Sequence, residues 1–414
     1  MNFRSVLHKF GLTLLSLCFL ASVGLGQRSA LKQPRQEKLL NGLKVLMWSD
    51  PSADKVSVRI RVHAGSAFDP QGKEGVMKLL AENIFPTAES RQFFSEDLGG
   101  SLEIISNYDY IQINASSKTS DALTLLETLA AAVSNPTFDK ETTAKLKASL
   151  LAEIDMAEKD TKYLADHAAT NRLFGTFPYG RPQLGTKESV QKIDFADLRF
   201  AKDRLFGADN ATIAIAGKFD PDLAYRAVRR FFGAWLKSDN KVPSTFRQPD
   251  DPDTKPLELS AAITGEPEVR FAFRGVSRSD KDFAASVILS RILQSRLQNS
   301  GTSASVSNEA RILPGVVLVG FRSNTMTSLP AGLLTERVTD AEFAKARSDL
   351  ASEFARKSLI DSWLDADTYK TQPSDSAQMI QNVTLPDVQR VADRLSKNPV
   401  VTVVVRPPVA NAKP

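Results

Sequence analysis

The chain has 414 residues, 42% of them apolar and 24% charged, which suits a globular protein of two or three domains with a sizeable core. Its formal charge of +5 is mild and spread along the sequence, and so argues against nucleic acid as a partner. The single cysteine, Cys18, falls in an N-terminal leader, which excludes disulfides and thiolate chemistry from the mature chain.

Arg4 and Lys9 precede an apolar run from Phe10 to Leu25, and Gly24 and Gly26 supply the small residues of a cleavage site before Gln27. Residues 1–26 therefore read as a secretory signal peptide. The alternative is an uncleaved anchor, but the run falls short of the roughly 20 apolar residues of a spanning helix. Leu17 before Cys18, and the apolar residues after it, argue against lipid attachment there. Cleavage would remove Arg4 and Lys9 and lower the net charge from +5 to +3. No later stretch approaches spanning length, so no membrane span is expected in the mature chain, which would reside in the periplasm or be secreted.

Asn41-Gly42 punctuates the chain before a strand at Leu43–Trp48, and the loop Pro51-Ser52-Ala53-Asp54 leads into a second at Lys55–Ala64. Gly99-Gly100 breaks the chain before a strand at Ser101–Ser106, which Asn107-Tyr108-Asp109 turns back into Tyr110–Ser116. Ser120–Val133 and Lys140–Glu158 carry helical periodicity, separated by Pro136. The Phe93-Phe94 and Phe231-Phe232 pairs read as core.

Four segments then recur in the same order. Val58–Val62, followed by Ser66 and Asp69, resembles Val269–Phe273, followed by Ser277 and Asp280. A helix with Ala144, Lys145, Leu150 and Glu153 resembles one with Ala344, Lys345, Leu350 and Glu353. Asp197 with Asp203-Arg204-Leu205 resembles Asp387 with Asp393-Arg394-Leu395, and Ala211–Ile215 resembles Val401–Val405. Such ordered recurrence predicts a duplicated unit. The expected fold is α+β: two homologous α/β sandwich domains at 27–237 and 256–407, a polar, Asp- and Pro-rich linker at 238–255, and a tail at 408–414.

The same chain carries a family resemblance. Leu39-Leu40-Asn41-Gly42-Leu43-Lys44-Val45, Ala64-Gly65-Ser66, Gly72-Lys73-Glu74-Gly75, Phe177-Pro178-Tyr179-Gly180-Arg181-Pro182 with Leu184-Gly185-Thr186, Ala216-Gly217-Lys218-Phe219-Asp220 and Phe231-Phe232-Gly233-Ala234-Trp235 resemble the first domain of insulinase (pitrilysin-type) zinc peptidases. The resemblance covers nearly all of the mature chain and is looser in the second half. It implies two similar α+β domains. In active members an inverted His-x-x-Glu-His motif on a helix holds zinc through two His four residues apart, which share a helix face. The Glu is the base for the zinc-bound water, and a later Glu completes the ligands.

Set between Gly75 and Phe85, the resemblance puts Lys78 at the first His, Ala81 at the base and Glu82 at the second His. An ammonium has three donors and no lone pair, and Ala81 has no proton acceptor, where a general base contributes about 10²–10⁴-fold. Only the later ligand position, Glu153, is retained. No catalytic residue, metal ligand set or cofactor is therefore expected, and a Lys78–Glu82–Glu153 ion network is expected where active relatives hold zinc. His63 and His167, the histidines beyond the leader, read as ordinary packed or surface residues.

The second half also departs from the family, whose active complexes hold the peptide with an Arg and a Tyr of that domain. The stretch Gln298–Val306 has no Tyr, and neither Arg296 nor Arg311 matches the Arg position. The run from Arg322 to Thr339 is compressed, as though a helix were missing. Three readings follow: a non-catalytic subunit paired with an active insulinase-like peptidase and able to bind unfolded peptide, a stand-alone structural or peptide-binding protein, and an active zinc endopeptidase with an atypical site.

Overall fold

The computed structural model describes residues 32–238, 246–247, 249–261, 266–299, 303–326 and 328–408. The leader, most of the tail and part of the linker lie outside them. From Pro34 onward the chain forms one compact unit.

In the first half the elements run β1 (Arg35–Lys38), β2 (Lys44–Ser49), β3 (Lys55–Val62), α1 (Val76–Glu82), α2 (Ala88–Glu96), β4 (Ser101–Ser106), β5 (Ile111–Lys118), α3 (Ala122–Ser134), α4 (Lys140–Ala157), α5 (Thr161–Phe174), α6 (Lys187–Gln191), α7 (Phe195–Leu205), β6 (Ala211–Gly217) and α8 (Pro221–Phe232). The second half continues with β7 (Leu257–Ser260), β8 (Glu268–Arg274), α9 (Phe283–Asn299), β9 (Ala304–Glu309), β10 (Val316–Arg322), α10 (Asp340–Phe354), α11 (Leu359–Tyr369), α12 (Ser376–Gln381), α13 (Leu385–Leu395) and β11 (Val401–Arg406). Side-chain caps set several of the helix starts: Asp139 accepts from the Thr142 amide ahead of α4, and Thr339 from the Glu342 amide ahead of α10.

The strands form two mixed sheets, ordered β1-β2-β6-β3-β5-β4 and β7-β11-β8-β10-β9. Apart from β1, the two orders coincide. In each, the first and last strands of the repeat pair in parallel, β2 with β6 and β7 with β11, and every other neighbour is antiparallel. The chain is thus a duplicated α+β unit, and all four recurring segments fall on corresponding elements: β3 and β8, α4 and α10, α7 and α13, β6 and β11.

The register of the last strand differs from the sequence reading by one residue. Ile60 pairs with Ile213, and Phe271, which the repeat sets opposite Ile60, pairs with Thr402. Ile213 therefore corresponds to Thr402, not to Val403. The two strands are apolar at successive positions because both of their faces are covered, so alternation could not reveal the register. Between β10 and α10 no helix forms among the described residues, in keeping with the compressed run.

Each sheet carries its own half's helices on one face. Val58, Ile60, Ile113 and Ile213 pack under α1, α3, α7 and α8. Val269, Phe271, Val319 and Phe321 pack under α9, α10 and α13. The opposite faces are covered by an exchange. Helix α5, from the first half, packs its Ala165, Ala169 and Leu173 on Ala272, Val316, Leu318, Val401 and Val403 of the second sheet. Helix α11, from the second half, packs Ile360, Trp363 and Leu364 on Leu46, Trp48 and Ala214 of the first.

Candidate functional site

Helix α1 is placed by its approach. Asp69, fully buried, accepts from the Gly75 amide at 2.9 Å through Oδ2 and from the Met77 amide at 2.8 Å through Oδ1, so it caps the helix start. Burial nevertheless pushes its carboxyl up to about 7. Arg181 donates to the carbonyls of Asp69 at 2.8 Å and Ala67 at 3.2 Å, and its guanidinium lies 3.8 Å from Glu74. Gly75 has φ +105°, and a Cβ there would meet the Leu184 carbonyl oxygen at 2.9 Å; a Cβ on Gly185 would meet the Glu74 carbonyl oxygen at 2.1 Å. The segments Gly72–Gly75 and Leu184–Thr186 are thus one clasp, closed where two backbones touch and only glycine fits. Sequence reading noticed both segments but not Asp69 or Arg181 as the residues that join them.

Val76, Met77, Leu79, Leu80 and Ala81 turn into the core, which leaves Lys78 and Glu82 on the outer face of α1, one turn apart. Lys78 Nζ donates to Glu82 Oε1 at 3.1 Å and lies 3.6 Å from Glu153 Oε2 on α4. Arg91 of α2 binds the other Glu82 oxygen at 2.5 Å and donates to the Phe85 carbonyl at 2.8 Å. Two cations and two carboxylates therefore balance here. The donor set does not suit zinc: an ammonium stands between the two carboxylates, and the Ala81 methyl is buried. Among the described residues no group of three or more His, Cys, Asp or Glu is gathered as a metal cluster would be.

The second half repeats this construction. Glu353 of α10, which the repeat sets opposite Glu153, is bound at 2.6 Å by Arg291 of α9. In both halves, a cation on the helix after the central strand holds a glutamate of the long helix.

The two histidines are not brought together. His63, at the end of β3, sits between Thr212 Oγ1 and Thr368 Oγ1, each 3.1 Å from a ring nitrogen, and burial holds its pKa down to about 3. His167 stacks on Tyr163 of its own helix α5, and its Nε2 is buried without a hydrogen bond. Arg296 and Arg311 are both engaged. Arg296 binds Glu342 at 2.6 Å and donates to the carbonyls of Leu333, Glu336 and Arg337, tying down the loop that stands in for the missing helix. Arg311 lies 4.0 Å over Tyr108 and 5.3 Å over Tyr179. Beside it Asp109 accepts from Tyr179 Oη and the Ile312 amide, so the β4–β5 and β9–β10 turns meet at this point.

Helices α1 and α2 both pack beside β4, the outer strand of the first sheet. Among the described residues β4 pairs only with β5. One row of its backbone groups is therefore free to take up another strand.

Comparison with known proteins places these features in a family. Residues 44–187 match the model for insulinase (peptidase family M16), and residues 192–350 match that for the peptidase M16 inactive domain. An uncharacterized zinc protease of Rickettsia bellii is 22% identical over 89% of this chain and 97% of its own length. A non-peptidase homolog, YmxG, of Helicobacter pylori is 24% identical over 66% of this chain and 59% of its own. The solved peptidase M16 inactive domain structure from Pseudomonas fluorescens has a TM-score of 0.81 at 20% identity, covering 92% of this chain and all of the other. No described helix is long and apolar enough to cross a membrane.

Proposed function

This chain belongs to the insulinase (M16) peptidase family, and on that premise we propose that it is an exported, non-catalytic member that binds extended polypeptide and assembles with a metal-bearing relative. The observation that carries this reading is the Lys78–Glu82–Glu153 contact set. An ammonium takes the place of the metal's charge between the carboxylates, and no acceptor at residue 81 is available to activate water. The name borne by the Helicobacter pylori relative supports it; that of the Rickettsia protein leaves the active alternative in view.

Binding would use the free edge of β4, where an extended segment gains main-chain hydrogen bonds without being cut. Export rests on the leader at 1–26, and the fold likeness to the periplasmic protease PqqL of Escherichia coli, at a TM-score of 0.72 and 15% identity, is compatible with it.

The test is metal analysis and a peptide-cleavage assay on the purified mature chain, followed by co-expression with an intact His-x-x-Glu-His relative and gel filtration. The reading expects zinc far below one per chain, no cleavage and a co-eluting pair. Near-stoichiometric zinc with cleavage would overturn the non-catalytic assignment. A strictly separate elution would remove the partner and leave a stand-alone peptide-binding protein.

A further inference from the structure

The outer strand of the second sheet, β9, differs from β4 in having part of its edge already taken. Gln294 of α9 donates through Nε2 to the Ala304 carbonyl at 3.0 Å, and its Oε1 accepts from the Val306 amide at 2.7 Å. That pair of bonds is what one residue of a parallel neighbouring strand would make around Ser305. It also reveals the orientation of the strand: Ala304, Val306 and Asn308 turn their backbone groups away from β10. Past Gln294 the same edge continues through the Val306 carbonyl and the Asn308 amide and carbonyl. This short stretch borders a groove of about 660 Å³ between α9 and α10. The Asn308 side-chain oxygen is buried there without a hydrogen bond.

Of the cations that line the groove, only Lys357 makes no ion pair among the described residues. Arg278 is bound by Asp365 at 2.6 Å, Arg291 by Glu353 at 2.6 Å, and Glu309 by Arg311. Lys357 has no carboxylate at ion-pair distance among the described residues. Its Nζ lies 3.7 Å over the Phe354 ring. Burial, and then Arg278, lower its pKa, more than Asp365, Glu353 and Asp361 restore it. An exposed lysine whose ammonium makes no ion pair among the described residues, beside an edge open for only two residues, suits a chain end better than a passing strand.

We propose that this groove binds the C-terminal end of another polypeptide, whose last residues add to β9 at Val306–Asn308 and whose terminal carboxylate pairs with Lys357. The site lies on other elements than the Lys78 site and does not depend on how that site is read.

Fluorescence anisotropy on the full mature chain tests it. The probe is an N-terminally labelled hexapeptide of Val, Ile and Ser, as the free acid, as its C-terminal amide, and as an amide with an internal Asp. A contact with an exposed ammonium predicts that the free acid binds about threefold or more tighter than the plain amide. Lys357→Met should erase that preference, Lys357→Arg should restore it, and Lys78→Met should leave it unchanged. Equal binding of acid and amide by the unaltered chain, or no binding of the acid, would overturn the proposal even if Lys357→Met fails to fold. So would an acid preference that survives in a folded Lys357→Met protein, or an internal-Asp amide that matches the free acid.

Discussion

Arg59 of β3 and Arg270 of β8 hold corresponding places in the internal repeat, and each reaches an aspartate on the helix supplied by the opposite half. Arg59 binds Asp361 of α11, and Arg270 binds Asp166 of α5 at 2.5 Å. Around the first pair, Arg61 binds Asp365 at 2.7 Å, and Lys44 and Thr212 bind the two oxygens of Asp367. The exchanged helices are thus held by apolar packing at their centres and by ion pairs aimed from the neighbouring strands.

The two arginines should differ in cost. Arg270 is 2% exposed and also binds the buried Glu268 at 2.7 Å, so Arg270→Met leaves Glu268 to Arg322 alone and Asp166 to Lys162 alone, and should destabilise the fold by about 1–3 kcal/mol. Arg59 and Asp361 are more open, at 24% and 40%, and Arg59→Met should cost under about 1 kcal/mol. Denaturant midpoints of the two variants check the contrast.

Packing of α11 should be the larger contribution. Trp363 is 5% exposed and meets Trp48 edge-on at a centroid distance of 6.1 Å. Trp363→Ala should cost about 3–5 kcal/mol and increase the binding of a hydrophobic dye, as the face with Leu46 and Trp48 opens.

Acid should weaken the protein through His63. Its folded pKa, held down to about 3, lies below the ordinary 6.5 of the unfolded chain. Unfolding therefore takes up a proton between these values, and stability falls as the pH drops below about 6.5 until the loss is complete near 3. At pH 5 the loss through this residue is about 2 kcal/mol. In His63→Gln the drop in stability from pH 7 to pH 5 should shrink by about that amount.

Chelators should leave the thermal midpoint unchanged. The combination Lys78→His, Ala81→Glu and Glu82→His, made with Glu153 in place, should take up close to one zinc per chain. Excess metal should then raise its stability, by about 2.7 kcal/mol at a hundred times the dissociation constant. A folded triple variant that ignores zinc would mean that the surrounding frame has also drifted.

Much of this was legible in the residues. The strand Ser101–Ser106 and the helix from Lys140 carry clear local signals, and the pair Lys78–Glu82 follows from helical spacing alone. What escaped was long-range. Nothing in the pattern of α5 says that Ala165 and Ala169 face the other half's sheet, because an apolar stripe states that a helix packs but not on what. The slip at β11 has a related cause: Val401, Val403, Val404 and Val405 are all buried, so the strand carries no alternation to read. Arg296 and Arg311 could be questioned as peptide-binding residues from sequence, yet their contacts with the 333–337 carbonyls and with Tyr108 depend on chain crossings that no local motif encodes.

The exchange of α5 and α11 also sets a schedule for synthesis. The first sheet is complete in sequence once β6 has been made at Gly217, but the helix that covers its second face ends at Tyr369. At ~5–20 residues per second, the roughly 150 residues between them take about 8–30 s to emerge. During that interval Leu46, Trp48 and Ala214 lack the cover that α11 gives them, which ties final closure of the first half to near-completion of the whole chain.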